Sequence, residues 1–173
     1  MDGDALYAEA KKVYDAGNRE ESLKLFEQAR GEYVAAGNQA QAAAVANDLG
    51  VVYYLVGRKD QARQALGDAL AAHEKLGDVL GQAKAIGNLA QLLNRSGDKA
   101  GAEQNYLRAA ELFHQVGEKT MEFDTYRALS QMQLQSGHWL QALASYDRGL
   151  AAKGGSRFLR WFLQIPLKIV GLR

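Results

Sequence analysis

The chain has 173 residues, with 21 Lys plus Arg against 20 Asp plus Glu, a formal charge of +1 and no cysteine. That balance gives no case for a nucleic-acid partner or an acidic substrate, and the missing thiols exclude disulfides, thiolate catalysis and cysteine-ligated zinc. The opening Met1-Asp2-Gly3-Asp4 is acidic and has no apolar h-region, so it does not read as a secretory signal and the default placement is cytoplasmic.

Along the chain, Gly17, Gly37, Gly57, Gly77, Gly97, Gly117 and Gly137 stand 20 residues apart. The stretches between them are rich in Ala, Leu, Gln, Glu and Lys, which favour helix, while glycine accepts the left-handed conformation that ends one. The pattern predicts helices over 4–16, 19–36, 39–56, 59–76, 79–96, 99–116, 119–136 and 139–153. At Gly17-Asn18, Gly37-Asn38, Gly77-Asp78 and Gly97-Asp98 the residue after the stop is also suited to cap the next helix; Arg58 and His138 make weaker starts. Paired, the helices form four hairpins over residues 1–153, at about 4–36, 39–76, 79–116 and 119–153, followed by a distinct C-terminal segment, 156–173. A 40-residue hairpin cannot bury its apolar face alone and must stack on its neighbours.

Within the hairpins the apolar residues recur at spacings of three and four. Val45, Leu49, Val52 and Tyr53 make one stripe, and Ala62, Leu66, Ala69 and Leu70 that of the partner helix. Small residues repeat in phase at Ala10, Gly50, Ala90 and Ser130, at Ser22, Ala62, Ala102 and Ala142, and at Ala29, Ala69, Ala109 and Gly149. Large ones repeat at Phe26, Leu66, Tyr106 and Tyr146. This alternation resembles the tetratricopeptide repeat, best in Leu49-Gly50, Tyr53, Ala62, Leu66 and Ala69. The period is 40 rather than the usual ~34, and the closing proline is absent from all four copies. In this the chain resembles the long-period repeats of kinesin light chains and spindle-orientation adaptors.

The resemblance implies an all-α, right-handed superhelical solenoid that acts as a noncatalytic scaffold, holding a peptide or helix of a partner protein on its concave face. Residues expected on that face are Tyr7, Lys11, Tyr14, Asn47, Val51, Tyr54, Lys84, Asn88, Gln91, Asn94, Arg127, Gln131 and Leu134. The long-period proteins often bind through asparagines on the first helix of each pair; Asn47 and Asn88 lie there, in adjacent rather than identical repeat positions. A related use of the fold grips the C-terminal carboxylates of seventy- and ninety-kilodalton heat-shock proteins. The matching positions here are Tyr7, Lys11, Asp48, Lys84 and Asn88, and the acid at Asp48 opposes that use by like-charge repulsion.

Signs of catalysis are sparse. His73, His114 and His138 show no metal-binding spacing and read as surface residues; Glu20-Glu21 and Glu118 with Glu122 read as first-turn charges that suit the helix dipole. No enzyme, cofactor or metal site is expected.

The tail abandons the repeat. Residues 154–173 carry Arg157, Arg160, Lys168 and Arg173 with no acid, among Phe158, Trp161, Phe162 and many aliphatic residues. Pro166 should kink or divide a helix here. Three readings stay open for this segment, whose contact residues would be Arg157, Phe158, Arg160, Trp161, Phe162 and Lys168: a cap over the last repeat, a membrane-surface helix, or a segment that pairs with another copy or docks in a groove as an amphipathic ligand. The second makes the chain a peripheral membrane tether, the alternative to the scaffold reading. A cap should bury Trp161 and an anchor should leave it exposed.

Overall fold

The structure is a computed structural model that describes residues 2–155, 161 and 164–166. Its helices are α1 (Gly3–Asp15), α2 (Arg19–Ala35), α3 (Gln39–Leu55), α4 (Lys59–Leu76), α5 (Val79–Ser96), α6 (Lys99–Gln115), α7 (Lys119–Gln135) and α8 (Trp139–Ala152). Each end lies within about one residue of the boundary expected from the glycine spacing. The chain divides into two compact units, Met1–Leu92 and Leu93–Arg173.

One junction recurs with little variation. After α1, Gly17 turns to φ +87° and its neighbour Asn18 donates its backbone N–H to the Val13 carbonyl at 3.1 Å. The same closure runs from Asn38 to Tyr33, Arg58 to Tyr53, Asp78 to His73, Asp98 to Leu93, Glu118 to Phe113 and His138 to Gln133. This is the Schellman arrangement, which satisfies a carbonyl left over at the helix end and needs a left-handed residue in the middle. Starts are less uniform. Asp2, Asn38, Asp78 and Asp98 cap the backbone N–H of Ala5, Gln41, Gly81 and Gly101, whereas Asn18, expected to do the same for α2, makes no side-chain cap.

In the first unit the small and large positions interlock. Leu6 and Ala10 of α1 meet Leu23, Phe26, Ala29 and Tyr33 of α2, and these join Ala42, Val45, Leu49 and Val52 of α3 in one core. Gly50 lets α3 lie against α4: a Cβ there would stand 2.4 Å from the Leu66 Cγ. Burial of a side chain such as Leu49 or Phe26 contributes about 1.5–3 kcal/mol, so this seam carries much of the unit's stability.

The second unit adds buried polar bonds to the same scheme. Gln133 of α7 donates to Glu103 Oε1 of α6 at 2.7 Å and accepts from Ser145 Oγ of α8 at 2.8 Å, so one side chain joins three helices. Ser130 Oγ donates to the Ala142 carbonyl at 2.7 Å. Beyond α8, Gln164 and Pro166 are helical, and Gln164 donates to Asp147 Oδ2 at 2.9 Å. Arg157, Phe158, Arg160, Phe162 and Lys168 lie outside the described residues.

One expectation is corrected. His73 is not a surface residue: it is 3% exposed, and its Nδ1 lies 2.8 Å from Asp78 Oδ2. Only Gly81 permits this, because a Cβ at that position would come 2.1 Å from the imidazole nitrogen. Glu122 is a first-turn charge of α7 as expected, and it is buried, 3.1 Å from Nδ1 of exposed His114.

Candidate protein-binding face

The residues expected on the binding face fall in both units. In the first, they gather around Asp48, the acid whose charge opposes a carboxylate ligand. Tyr7 of α1 donates its phenol to Asp48 Oδ2 of α3 at 2.8 Å, while its ring packs edge-on against Phe26 and Tyr33 at 5.9 and 6.4 Å. The Lys11 ammonium sits 4.1 Å from the centroid of the same ring, a cation–π contact. Asn88 of α5 donates to Asn47 Oδ1 of α3 at 3.0 Å, and Asn47 in turn bonds the Asp48 carboxylate.

Burial pushes the Asp48 carboxyl above its ordinary range, although the hydrogen bonds from Tyr7 and Asn47 and the charges of Lys11 and Lys84 all pull it down. Desolvation therefore outweighs four favourable neighbours. The same proximity raises the Tyr7 phenol, through burial first and then the Asp48 charge.

A pocket of about 280 Å³ opens beside this network, lined by Lys11, Tyr14, Asp15, Phe26, Asp48, Val51 and Val52. Lys11, Tyr14 and Val51 are residues the sequence places on this face and Asp48 is the acid at the clamp position; Asp15, Phe26 and Val52 are additions of the structure. Asn47 is buried beneath the surface instead of displayed on it. Tyr54 packs beside Ala62, Leu66 and Leu92, while Lys84 and Gln91 are exposed on α5.

In the second unit, Asn94 is occupied: its side chain accepts from Lys99 Nζ at 2.5 Å and also bonds Tyr106. Arg127 is exposed and donates to Asp124 at 3.0 Å. Gln131 and Leu134 are exposed. Among the described residues no group of three His, Asp or Glu is disposed to hold a metal ion, and no helix is long and apolar enough to cross a membrane.

Helical hairpins joined by repeated Schellman turns, with mixed polar and apolar side chains displayed between first helices, define a tetratricopeptide-like repeat protein. Such repeats are protein–protein interaction scaffolds and are generally non-enzymatic. The model of the soluble NSF attachment protein (SNAP) family matches residues 52–164, well over half the chain, and the chain belongs to that family. No curated protein matches the sequence.

Among solved structures, the chain is similar to BtubC (BKLC) from P. vanneervenii, with a TM-score of 0.75 and 19% identity over 89% of this chain. It spans 65% of that protein's length. It is also similar to the nearly identical TPR-like repeats of a putative kinesin light chain from Podosopora anserina, with a TM-score of 0.67, 14% identity and coverage of 97% of this chain and 94% of that one. At these identities the likeness is one of fold, and it agrees with the long-period repeat type.

Proposed function

We propose that the chain is a noncatalytic adaptor that holds a peptide or helix of a partner protein against the first helices of its hairpins, on the concave side of the stack. The supporting observation is the pocket at α1 and α3, where apolar walls from Tyr14, Phe26, Val51 and Val52 surround a few fixed polar groups. That combination suits selective capture of a side chain. Tyr7, Asn47 and Asn88 are already held by hydrogen bonds, so less ordering is required of this side of the interface on binding. Cytoplasmic placement belongs to the same reading.

The family is described by attachment to NSF, which makes purified NSF the first partner to test. In a pull-down titration, Tyr14→Ala combined with Val51→Ser should weaken binding at least about tenfold with an unchanged circular dichroism spectrum, an effect equivalent to ~1.4 kcal/mol. Unchanged affinity of a bound partner removes this face from consideration.

A second reading, the peripheral membrane tether, draws support from Trp161, which is 54% exposed. Against it stands the bond from Gln164 to Asp147, which ties that residue to α8. In a Trp139→Phe variant, Trp161 fluorescence should shift to the blue on adding anionic liposomes if the tail is an anchor. A spectrum indifferent to lipid rejects the tether.

A further inference from the structure

We propose that the pocket between α1 and α3 selects an arginine side chain, carried by an apolar segment of a partner protein, whose guanidinium donates to Asp48. This rests on the adaptor reading and adds which side chain the face prefers.

Shape comes first. At about 280 Å³ the pocket has room for one long side chain and not for a helix. Tyr14, Phe26, Val51 and Val52 give it walls that suit a methylene stem, and an aromatic ring on which a planar cation can stack.

Charge then narrows the occupant. The lining holds two carboxylates, Asp15 and Asp48, and one ammonium, Lys11, which is seated over the Tyr7 ring. Lys84 pulls on Asp48 through space from α5. Tyr7 and Asn47 both reach Asp48 from the protein itself. A carboxylate offers about four lone-pair sites, so these two donors leave acceptor capacity in a group that lines the pocket.

An acidic side chain entering here would meet Asp48 and Asp15, and a neutral donor would bond Asp48 without compensating its charge. Of the two basic side chains, the guanidinium is planar, less strongly hydrated and able to fork onto a carboxylate; the compact ammonium of lysine does none of these as well. Asp48 is half-buried, and its burial pushes the carboxyl above its ordinary range, in the same sense.

The test uses the full chain and a random peptide library displayed on phage, followed by fluorescence anisotropy. Selected peptides should be enriched in arginine next to apolar residues. For the best of them, synthetic versions with arginine replaced by citrulline, lysine or glutamate should bind more weakly, citrulline by at least about tenfold, the equivalent of a lost charge-assisted hydrogen bond. Asp48→Asn should remove most of the difference between the arginine and citrulline peptides. The citrulline comparison is made on the unmodified chain, so the test stands even if that variant folds poorly.

Peptides that bind at this face, weakened by Tyr14→Ala, yet show no preference for arginine overturn this inference and leave the adaptor reading intact. A library that yields no binder overturns both.

Discussion

Asn47 and Asn88 differ by one position in the repeat frame, and that stagger is what brings their amides within 3.0 Å. Tyr7 and Asp48, bonded at 2.8 Å, have the same separation of 41 residues. Successive first helices in the first unit thus meet at one repeat plus one residue. Asn88→Ala would leave the buried Asn47 amide without its donor, at a cost of about 1–3 kcal/mol. Urea denaturation of Asn47→Ala, Asn88→Ala and the double variant should show a coupling of at least ~0.5 kcal/mol; additive losses would mean the bond carries no stability.

Asp48 sets an acid-side dependence of stability. Its folded-state pKa is raised by burial above the unfolded value, so the folded chain binds this proton more readily than the unfolded one. The group's contribution is therefore fully present below the unfolded pKa and is lost as pH rises through the folded one. Asp48→Asn keeps an acceptor for Tyr7 while removing the charge. It should stabilise the neutral-pH protein, and denaturation midpoints measured from pH 4 to 8 should lose that part of their slope.

Two helical glycines should respond in opposite directions to the same substitution. At Gly81 a new Cβ meets buried His73 at 2.1 Å, and the imidazole is hemmed in by Asp78. Gly81→Ala should cost about 1–3 kcal/mol. At Gly67 on α4 nothing lies within 4 Å of the added carbon. Gly67→Ala should gain about 0.5–1 kcal/mol by reducing the freedom of the unfolded chain. Thermal melts that ranked the two variants the other way would contradict the close packing of α4 on α5.

Phenol ionisation gives an independent check of the tyrosine environments. Burial and the neighbouring carboxylates Asp4 and Glu27 push Tyr33 and Tyr53 up to about 12. Their contribution to stability is present below pH ~10 and lost as pH rises through the folded values. Absorbance at the tyrosinate band should therefore rise in two stages, the later one reduced by Tyr33→Phe or Tyr53→Phe. A single transition near the ordinary phenol value would show these bonds to be absent in solution.

Much of the fold was legible in the sequence because it is set locally. A glycine that ends a helix acts within a few residues, and the in-phase positions Ala10, Ser22, Phe26 and Ala29 are all buried as their sizes suggest. The candidate face was legible only in part. Lys11, Tyr14 and Val51 reach the pocket because they follow the helical stripe, whereas Asp48 depends on a tyrosine 41 residues away. Without that partner it is simply a misplaced acid. The burial of His73 was hidden for the same kind of reason: what buries it is the absence of a side chain at Gly81, on the next helix.

The glycine ruler also constrains how the chain can change in length. Each helix advances about 100° per residue, so one residue added within a first helix would turn the rest of it away from its neighbour and part Tyr7 from Asp48 or Asn47 from Asn88. Loss or gain of a whole 40-residue hairpin keeps the 20-residue glycine spacing and hence the phase of the helices that remain. The architecture is thus intolerant of single insertions and permissive of duplications, and it can lengthen or shorten only in steps of one hairpin.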